Sequence, residues 1–257
     1  MTSNRLKSAL RAGRPAVGTW LTLGNVTAAR FLARAGFDWL CVDLEHSPVG
    51  PETAAHLLGS VADAGCVPLA RVPANRHDHL KRALDAGAYG VVVPMVNTPA
   101  GAADAVAACR YPPRGTRSVG GALAALNFRT TPADYLARAD DELAVILQCE
   151  HADAVRDFDA VFGRPGVDAV FVGPNDLAAS LRPPDGRPAS PEAFEAALAA
   201  VLAGCRRLGV APGIHTFTVA EARRRLAEGW QFVAVGSDLS LLLDGTRAVT
   251  DGLSDQR

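Results

Sequence analysis

The chain repeats one pattern eight times: a short apolar run, typical of a buried strand, is followed by a longer amphipathic segment, typical of a helix. The apolar runs, such as VVVPMV at residues 91–96, do not alternate with polar residues, which indicates parallel strands buried on both faces. Eight units of nearly even length favour a closed (β/α)8 barrel over a doubly wound open sheet, and no GxGxxG motif follows any run. The predicted strands are residues 17–21, 39–43, 67–72, 90–96, 143–150, 168–173, 210–214 and 232–236.

The length of the chain, 257 residues, matches one such barrel, which has about 250 residues. We therefore predict an α/β fold in a single TIM-barrel domain over residues 1–257. One amphipathic segment of helical length, residues 151–167, joins the fifth and sixth strands. The connection over residues 111–136 is too long and too rich in Gly and Pro for an ordinary crossover, and we interpret it as a functional loop over the site.

Charge and composition indicate a small-molecule partner. The net charge is −1 and the basic residues are scattered, so no basic stripe favours binding to nucleic acid or to an anionic membrane. No apolar run approaches the roughly 20 residues that span a bilayer, and the segment MTSNRLKSAL has no signal-peptide core. The five cysteines lack CxxC spacing, which favours buried free thiols. We predict a cytoplasmic protein.

Two acids end neighbouring predicted strands: Glu150 follows the fifth and Asp176 follows the sixth. Adjacent parallel strands lie about 4.8 Å apart and end on the same face, so these carboxylates can share one cation. Asp176 also lies in a Gly-Pro-Asn-Asp turn that opens a helix, where free N–H groups favour an anion. The pattern suggests a site for a chelating acid. The alternative is that both acids serve only solubility and the helix dipole.

Other polar residues also follow predicted strands, and in a barrel they would meet at the C-terminal face, where active sites lie. They are the segment Asp43 to Ser47, Arg71, Gln148, the segment Gly173 to Asp176, His215 and the segment Gly236 to Asp238. By contrast, His56, His77 and His79 fall in helical segments and are interpreted as solvated. The only lysines are Lys7 and Lys81, neither at a strand end, which argues against Schiff-base chemistry.

A series of motifs resembles, in order, those of the metal-dependent 2-oxo-acid aldolases of the HpcH/HpaI type, which include 4-hydroxy-2-oxoheptanedioate and 2-dehydro-3-deoxyglucarate aldolases. The motifs are GFDWLCVDLEHSP, PLARVP, LDAGAYGVVVPMVNT, RYPPRGTRSVGG, ILQCE, GVDAVFVGPNDL, APGI and FVAVGSDLSLL. The resemblance runs from about Gly18 to Leu243. It implies a barrel of the phosphoenolpyruvate/pyruvate superfamily, a divalent metal ion (Mg²⁺, Mn²⁺ or Co²⁺), and reversible retro-aldol cleavage of a 4-hydroxy-2-oxo acid to pyruvate and an aldehyde.

The resemblance also assigns roles to individual residues. Glu150 and Asp176 match metal ligands, His46 matches the general base, and Arg71 matches the cation that stabilises the enolate. Asp85 matches an acid that raises the basicity of the histidine. Gln148, Asn175 and Asp176 match substrate contacts, and we add Asp43 to the catalytic candidates and Trp20 and Gly173 to the substrate-binding ones.

Some positions depart from the family. Ala125 and Phe128 stand where relatives carry arginines that serve acidic acceptor aldehydes, so an uncharged or differently charged acceptor is expected. His151 and His215 replace a hydroxyl and an aliphatic residue, and each either contacts the acceptor, supports the metal site or fills space.

The resemblance further implies a homohexamer in which the last helix, from Leu239 to Thr250, is exchanged between subunits. The competing interpretation is that this helix packs on its own barrel. Alternative activities are oxaloacetate decarboxylation and a citrate-lyase-like reaction. A non-catalytic barrel would be expected to have lost one of His46, Arg71, Glu150 and Asp176, and all four are present.

Overall fold

The computed structural model describes residues 1–254 and closes eight parallel strands into one barrel, each strand paired with the next in the chain and β1 paired with β8. The predicted (β/α)8 fold is confirmed. Residues 255–257 of the predicted domain lie outside the described residues. The strands are β1 (Ala16–Leu21), β2 (Trp39–Asp43), β3 (Val67–Arg71), β4 (Gly90–Val93), β5 (Ala144–Gln148), β6 (Ala169–Val172), β7 (Ala211–Thr216) and β8 (Phe232–Ser237).

Helices surround the barrel and include several that the sequence pattern does not predict. They are α1 (Arg5–Arg11), α2 (Val26–Leu32), α3 (Pro51–Asp63), α4 (His77–Asp85), α5 (Pro99–Ala108), α6 (Ala122–Asn127), α7 (Pro132–Glu142), α8 (Ala152–Arg156), α9 (Phe158–Phe162), α10 (Pro174–Ser180), α11 (Pro191–Leu208), α12 (Val219–Glu228) and α13 (Asp238–Gly252).

Three local predictions are wrong. The fourth strand ends at Val93 rather than Val96, because Pro94 has no N–H to donate and Met95 adopts a left-handed φ of 53°. The segment 151–167 holds two short helices that meet at Asp157, which has φ −100° and ψ 28°. The connection 111–136 is not a bare loop, since it contains α6 and the start of α7.

A buried polar cluster closes the N-terminal end of the barrel. Asn4, the N-cap of α1, donates from its amide to the carbonyl of Tyr89 at 2.8 Å. Lys7 donates to the carbonyl of Leu143 at 2.7 Å and lies 3.1 Å from the carboxylate of Asp168. These partners directly precede β4, β5 and β6. Helix α1 therefore covers the floor of the barrel and leaves the opposite end open.

The barrel interior is packed with aromatic rings below that open end. Trp39 stacks on Phe232 with centroids 4.3 Å apart, and Gly18 makes room for this pair because a Cβ there would collide with the Trp39 ring. Phe171 packs edge-on between Phe232 and Trp20, with its ring centroid 5.7 Å from that of Trp20. Trp20 and Phe171 also line the cavity at the C-terminal face, so they link the core to that face.

Helix α13 differs from the other helices of residues 1–254 because it has no buried apolar residue; its one buried residue is Asp238, at its first position. Its exposed apolar side chains include Leu241, Leu242, Leu243 and Val249, with 42%, 59%, 42% and 62% of their surface accessible. The helix contacts β1 and β8 of its own barrel but buries no apolar side chain there, so packing on its own barrel and exchange between subunits both stay predictions.

The cysteine prediction holds, since Cys41, Cys66, Cys109, Cys149 and Cys205 are all buried free thiols. Within residues 1–254, the helices are all too short or too polar to cross a membrane.

Candidate active site

A cavity of about 530 Å³ opens at the C-terminal ends of the strands. All predicted site residues except Asp85 line it: Trp20, Asp43, His46, Arg71, Gln148, Glu150, Gly173, Asn175 and Asp176. His215 lines it as well. Several neutral residues that the sequence does not mark as site residues also line the cavity, among them Thr22, Phe171, Phe217 and Ser240. These lie beside the predicted strand ends but carry no charge or metal-binding group that would mark them.

Arg71, the last residue of β3, is held rigidly at the cavity. Its Nε and Nη2 donate to the two carboxylate oxygens of Asp43 at 2.9 and 2.7 Å, a bidentate pair across neighbouring strands. Burial alone raises the pKa of Asp43, but the hydrogen bonds and charge of Arg71 outweigh it and hold that pKa below its ordinary value. The guanidinium also lies 4.5 Å from the ring centroid of Trp20. A fixed cation therefore faces the cavity.

Glu150 is a buried acid with only 2% of its surface exposed. Its two oxygens accept from the Met95 backbone N–H at 2.7 Å and from the Gln148 amide at 2.5 Å. Burial, which the negative charges of Asp176 and Glu45 reinforce and the Met95 N–H opposes, raises its pKa to about 7. A Cβ at position 173 would collide with the Glu150 carboxylate, so Gly173 leaves room for that carboxylate in its present position. Glu150 lies where a cation would offset the cost of its charge.

Asp176 and Asn175 are exposed residues in the first turn of α10, which Gly173 and Pro174 begin directly after β6. Because β5 pairs with β6 through Gln148 and Phe171, the Glu150 and Asp176 carboxylates face the same cavity. Within residues 1–254, no set of three or more His, Cys, Asp or Glu side chains is arranged to hold a metal. A cation between these two acids would need oxygen ligands from substrate and water.

The surroundings of Glu150 leave room for a further bound group beside such a cation. Gln148 Oε1 is buried and lacks a hydrogen-bond partner among the described residues, although the same amide donates to Glu150. A water or substrate group ordered beside Glu150 would supply the missing donor.

His46 stands at the rim, with 65% of its side chain exposed. Its backbone N–H donates to Asp43 Oδ1 at 3.3 Å, and its Nε2 lies 3.8 Å from the carboxylate of Glu45. Glu45 also lies 3.4 Å from Arg71 Nε, and burial raises its pKa to about 7. Asp43 thus fixes both the Arg71 guanidinium and the backbone that carries His46, while Glu45 lies between these two groups.

His215, in β7, bonds to Trp20 across the barrel mouth. Trp20 Nε1 donates to His215 Nδ1 at 3.0 Å, and the exposed ring of Phe217 contacts His215 edge-on with centroids 4.8 Å apart. Burial lowers the pKa of His215 to about 4, and the charge of Arg71 contributes to that shift. His151 behaves differently: it caps α8, accepting from the Asp153 N–H at 3.2 Å, and does not line the cavity.

Asp85 is placed elsewhere. It ends α4, and its carboxylate accepts from Arg117 at 2.7 Å. Arg117 is fully buried and packs over Tyr111, 4.6 Å from its ring centroid. Asp85 therefore does not line the cavity with His46 in its own chain, and its effect on the histidine stays a prediction.

The two positions that depart from the family in the 111–136 connection are also remote from the cavity. Ala125 and Phe128 are buried, and Phe128 stacks on Tyr89 with centroids 3.7 Å apart. Within one chain they pack in the core, so they do not set the charge of the acceptor site directly.

Comparison with known proteins agrees with this geometry. The family model HpcH/HpaI aldolase/citrate lyase matches residues 16–245. A 4-hydroxy-2-oxo-heptane-1,7-dioate aldolase of Salmonella dublin is 41% identical over 246 residues, which cover 96% of this chain and 93% of the relative. A hydroxypyruvate/pyruvate aldolase of Agrobacterium fabrum is 40% identical over 250 residues, which cover 96% of this chain and 92% of the relative.

A solved structure is equally similar. The crystal structure of an HpcH/HpaI aldolase/citrate lyase family protein from Burkholderia cenocepacia superimposes with a TM-score of 0.87 at 41% identity, covering 98% of this chain and 100% of that one. The matched residues include every strand of the barrel and every residue that lines the cavity. The chain belongs to the HpcH/HpaI aldolase/citrate lyase family and is a carbon–carbon lyase of the aldolase type.

Proposed function

We propose that the protein is a class II, metal-dependent aldolase that reversibly cleaves a 4-hydroxy-2-oxo acid to pyruvate and an aldehyde. The observation that carries the proposal is the placement of Arg71, fixed by Asp43, in the same cavity as the paired acids Glu150 and Asp176. This arrangement offers a chelating site for a 2-oxo acid and a fixed cation for the charge that develops on it.

Glu150 and Asp176 would hold the divalent ion, and carboxylate oxygens favour hard or borderline cations such as Mg²⁺, Mn²⁺ or Co²⁺. When bound, the ion supplies a Lewis acid that stabilises the pyruvate enolate. Gln148, with its unpaired Oε1, orders a group beside Glu150. The backbone N–H groups of Asn175 and Asp176 in the first turn of α10 orient the substrate carboxylate.

The remaining residues move the proton and the charge. In cleavage, His46 accepts the proton of the C4 hydroxyl, directly or through water, while the C3–C4 bond breaks and the aldehyde leaves. Arg71 stabilises the negative charge that appears on the pyruvate C2 oxygen. The electron pair remains on the enolate until C3 takes up a proton. In condensation, His46 returns its proton to the new hydroxyl.

Proton exchange of the pyruvate methyl group tests this proposal without any acceptor. We expect the protein in ²H₂O to exchange these protons with added Mn²⁺, Mg²⁺ or Co²⁺, as followed by ¹H NMR, and to stop after EDTA treatment. Glu150→Gln and Asp176→Asn should each weaken Mn²⁺ binding in calorimetry by at least about tenfold, because a charged ligand is lost. Glu52→Gln, at an exposed position of α3, serves as the control.

Full exchange after exhaustive chelation would contradict the metal-dependent mechanism. Unchanged Mn²⁺ affinity in both acid variants would contradict the ligand assignment. Product masses from pyruvate and a panel of aldehydes would then define the acceptor range.

We further propose a homo-oligomer, a homohexamer by resemblance to the family, in which α13 packs against a neighbouring subunit. The exposed leucines of α13 support an exchanged helix, since Leu241, Leu242 and Leu243 each leave 42% or more of their surface accessible. Because Asp85 does not line the cavity of its own chain, any effect on a histidine would act on the His46 of another subunit. The cytoplasmic location stays a prediction.

A further inference from the structure

The bond between Trp20 and His215 fixes the state of the histidine ring. An indole N–H can only donate, so His215 Nδ1, 3.0 Å from Trp20 Nε1, must accept with its lone pair. An imidazolium would carry a proton on Nδ1 and break this bond. The ring is therefore neutral, with its one proton on Nε2, and the lowered pKa of about 4 agrees with that state.

The proton on Nε2 is available to a ligand. His215 lines the cavity, and no acceptor within residues 1–254 forms a hydrogen bond with its Nε2. Phe217 covers one edge of the ring, and Trp20 holds the other. The two aromatic contacts orient the imidazole, so its free N–H points at a defined part of the cavity instead of rotating with solvent.

The described lining of the cavity has no further positive side chain that could neutralise a charged group on the second substrate. Among the lining residues described, Arg71 is the only one with a permanent positive charge; Asp43 accepts from its Nε and Nη2, and the proposed mechanism commits its charge to the pyruvate oxygen. The charges of Glu150 and Asp176 balance those of a divalent ion, and the carboxylate of the bound 2-oxo acid then adds a negative charge. A carboxylate on the second substrate would lack a counter-charge there, which is costly in a partly buried site.

We propose that His215 is a specificity-determining residue that donates a hydrogen bond from Nε2 to a hydroxyl oxygen of the acceptor aldehyde. The enzyme then favours short, uncharged hydroxyaldehydes over alkyl aldehydes and over aldehydes that end in a carboxylate. This inference rests on the proposed aldolase function and names the acceptor class for the same site. Trp20 acts as a positioning residue, since its N–H selects the tautomer that donates.

Two acceptors that differ by one group measure this contact. Glycolaldehyde and propanal have the same number of heavy atoms, and a hydroxyl in the first replaces a methyl in the second. We expect the ratio of their kcat/KM values in the pyruvate aldol reaction to fall by about tenfold or more in His215→Phe, the effect of losing one hydrogen bond to a partly buried group. His215→Gln keeps an N–H donor and should recover part of the ratio. His56→Gln, on the exposed face of α3, is the matched control.

The tautomer supplies a readout that does not depend on turnover. The ¹⁵N chemical shifts of His215 should report a protonated Nε2 at pH 7, and Trp20→Phe should produce a mixture of tautomers together with a lower acceptor ratio. Succinic semialdehyde tests the charge argument, and its kcat/KM is expected to lie below that of glycolaldehyde.

Each result decides one question. An unchanged acceptor ratio in His215→Phe, a protonated Nδ1 in the wild-type ring, or preference for the charged aldehyde would overturn the inference. Failure of the wild type to exchange pyruvate methyl protons with metal present would instead overturn the proposed function, because that reaction involves no acceptor.

Discussion

At the scale of single residues, the side chain with the most constraints on it is Arg71. Two of its N–H groups bond the two oxygens of Asp43, and its guanidinium carbon lies over the Trp20 ring, so both the direction and the position of its charge are set before substrate binds. A lysine would keep the charge but lose the second hydrogen bond and the stacking. The substitution Arg71→Lys is thus a test of geometry at constant charge.

For Arg71→Lys, we expect pyruvate methyl exchange and aldol cleavage to fall together by about 10²-fold, the typical effect of removing one stabilising donor of a developing oxyanion. NMR exchange and a pyruvate-release assay measure the two rates. Arg207→Lys, at an exposed pair with Asp159, is the control. If only cleavage slowed, Arg71 would not be acting on the enolate.

His46→Ala should separate the same two reactions. Because the histidine is assigned to the C4 hydroxyl and stands at the exposed rim, cleavage should fall at least about 10²-fold, whereas exchange should fall less. The two assays used for Arg71 apply. Equal losses would show that His46 is also the base that removes the methyl proton.

The lowered pKa of His215 predicts how the free energy of unfolding depends on pH. Its folded pKa, about 4, lies below the ordinary 6.5, so protons bind more tightly to the unfolded chain. Its contribution is fully present above pH 6.5 and is lost as the pH falls through 4. By linkage, the loss between pH 7 and pH 4 is about 3 kcal/mol.

Urea unfolding of the wild type and of His215→Gln at both pH values isolates this contribution. Burial raises the pKa of Glu45 and Glu150, which shifts stability in the opposite direction, but both acids remain in the variant and cancel in the difference. A difference between the two proteins that is independent of pH would show that the histidine titrates normally.

At the scale of elements, the turn between β6 and α10 has the tightest steric requirement in the site. A Cβ on Gly173 would collide with the Glu150 carboxylate, although the backbone there is ordinary, with φ −88°. Gly173→Ala should therefore displace Glu150 and weaken Mn²⁺ binding by about tenfold or more, without the strain of a left-handed residue.

Calorimetric titration with Mn²⁺ measures this effect. Gly50→Ala is a matched control, since Gly50 is also an N-cap with extended backbone and a Cβ there meets nothing within 4 Å. If both substitutions leave the affinity unchanged, Gly173 is not what shapes the metal site.

The same elements show what the sequence can and cannot predict. The strand ends that hold Asp43, Arg71, Glu150 and Asp176 follow from apolar runs and from the rule that parallel strands end on one face. The bond from Trp20 to His215 could not be predicted, because it joins residues 195 positions apart and depends on how the barrel closes.

The errors in the element boundaries have local causes. β4 ends before Met95, which adopts a left-handed φ that is uncommon for residues other than glycine. The N–H of Met95 instead donates to the Glu150 carboxylate. Helices α6 and α7 lie in a stretch whose Gly and Pro content suggests a loop, but their buried Ala124, Phe128 and Tyr135 pack into the core. Tertiary contacts stabilise these two helices, and such contacts cannot be read from the local composition.

At the scale of the whole molecule, the exposed face of α13 predicts an assembly. Leu242→Glu, which places a charge on that face, should lower the mass found by light scattering from that of an oligomer to that of a smaller species. Val219→Glu, at an equally exposed apolar position on α12, is the control. A wild type that is monomeric and fully active at assay concentration would contradict the proposed oligomer.

The floor of the barrel has a consequence for the order in which the chain folds as it is made. Lys7 emerges from the ribosome early, but its carbonyl partner lies 136 residues further along, and its carboxylate partner, Asp168, follows later still. The Tyr89 carbonyl that Asn4 bonds is made in the first half of the chain, but the two partners of Lys7 are made only in the second half. The contacts of the floor are complete only when Asp168, directly before β6, has been made, so closure of the floor is a late event that reports on a barrel already half assembled.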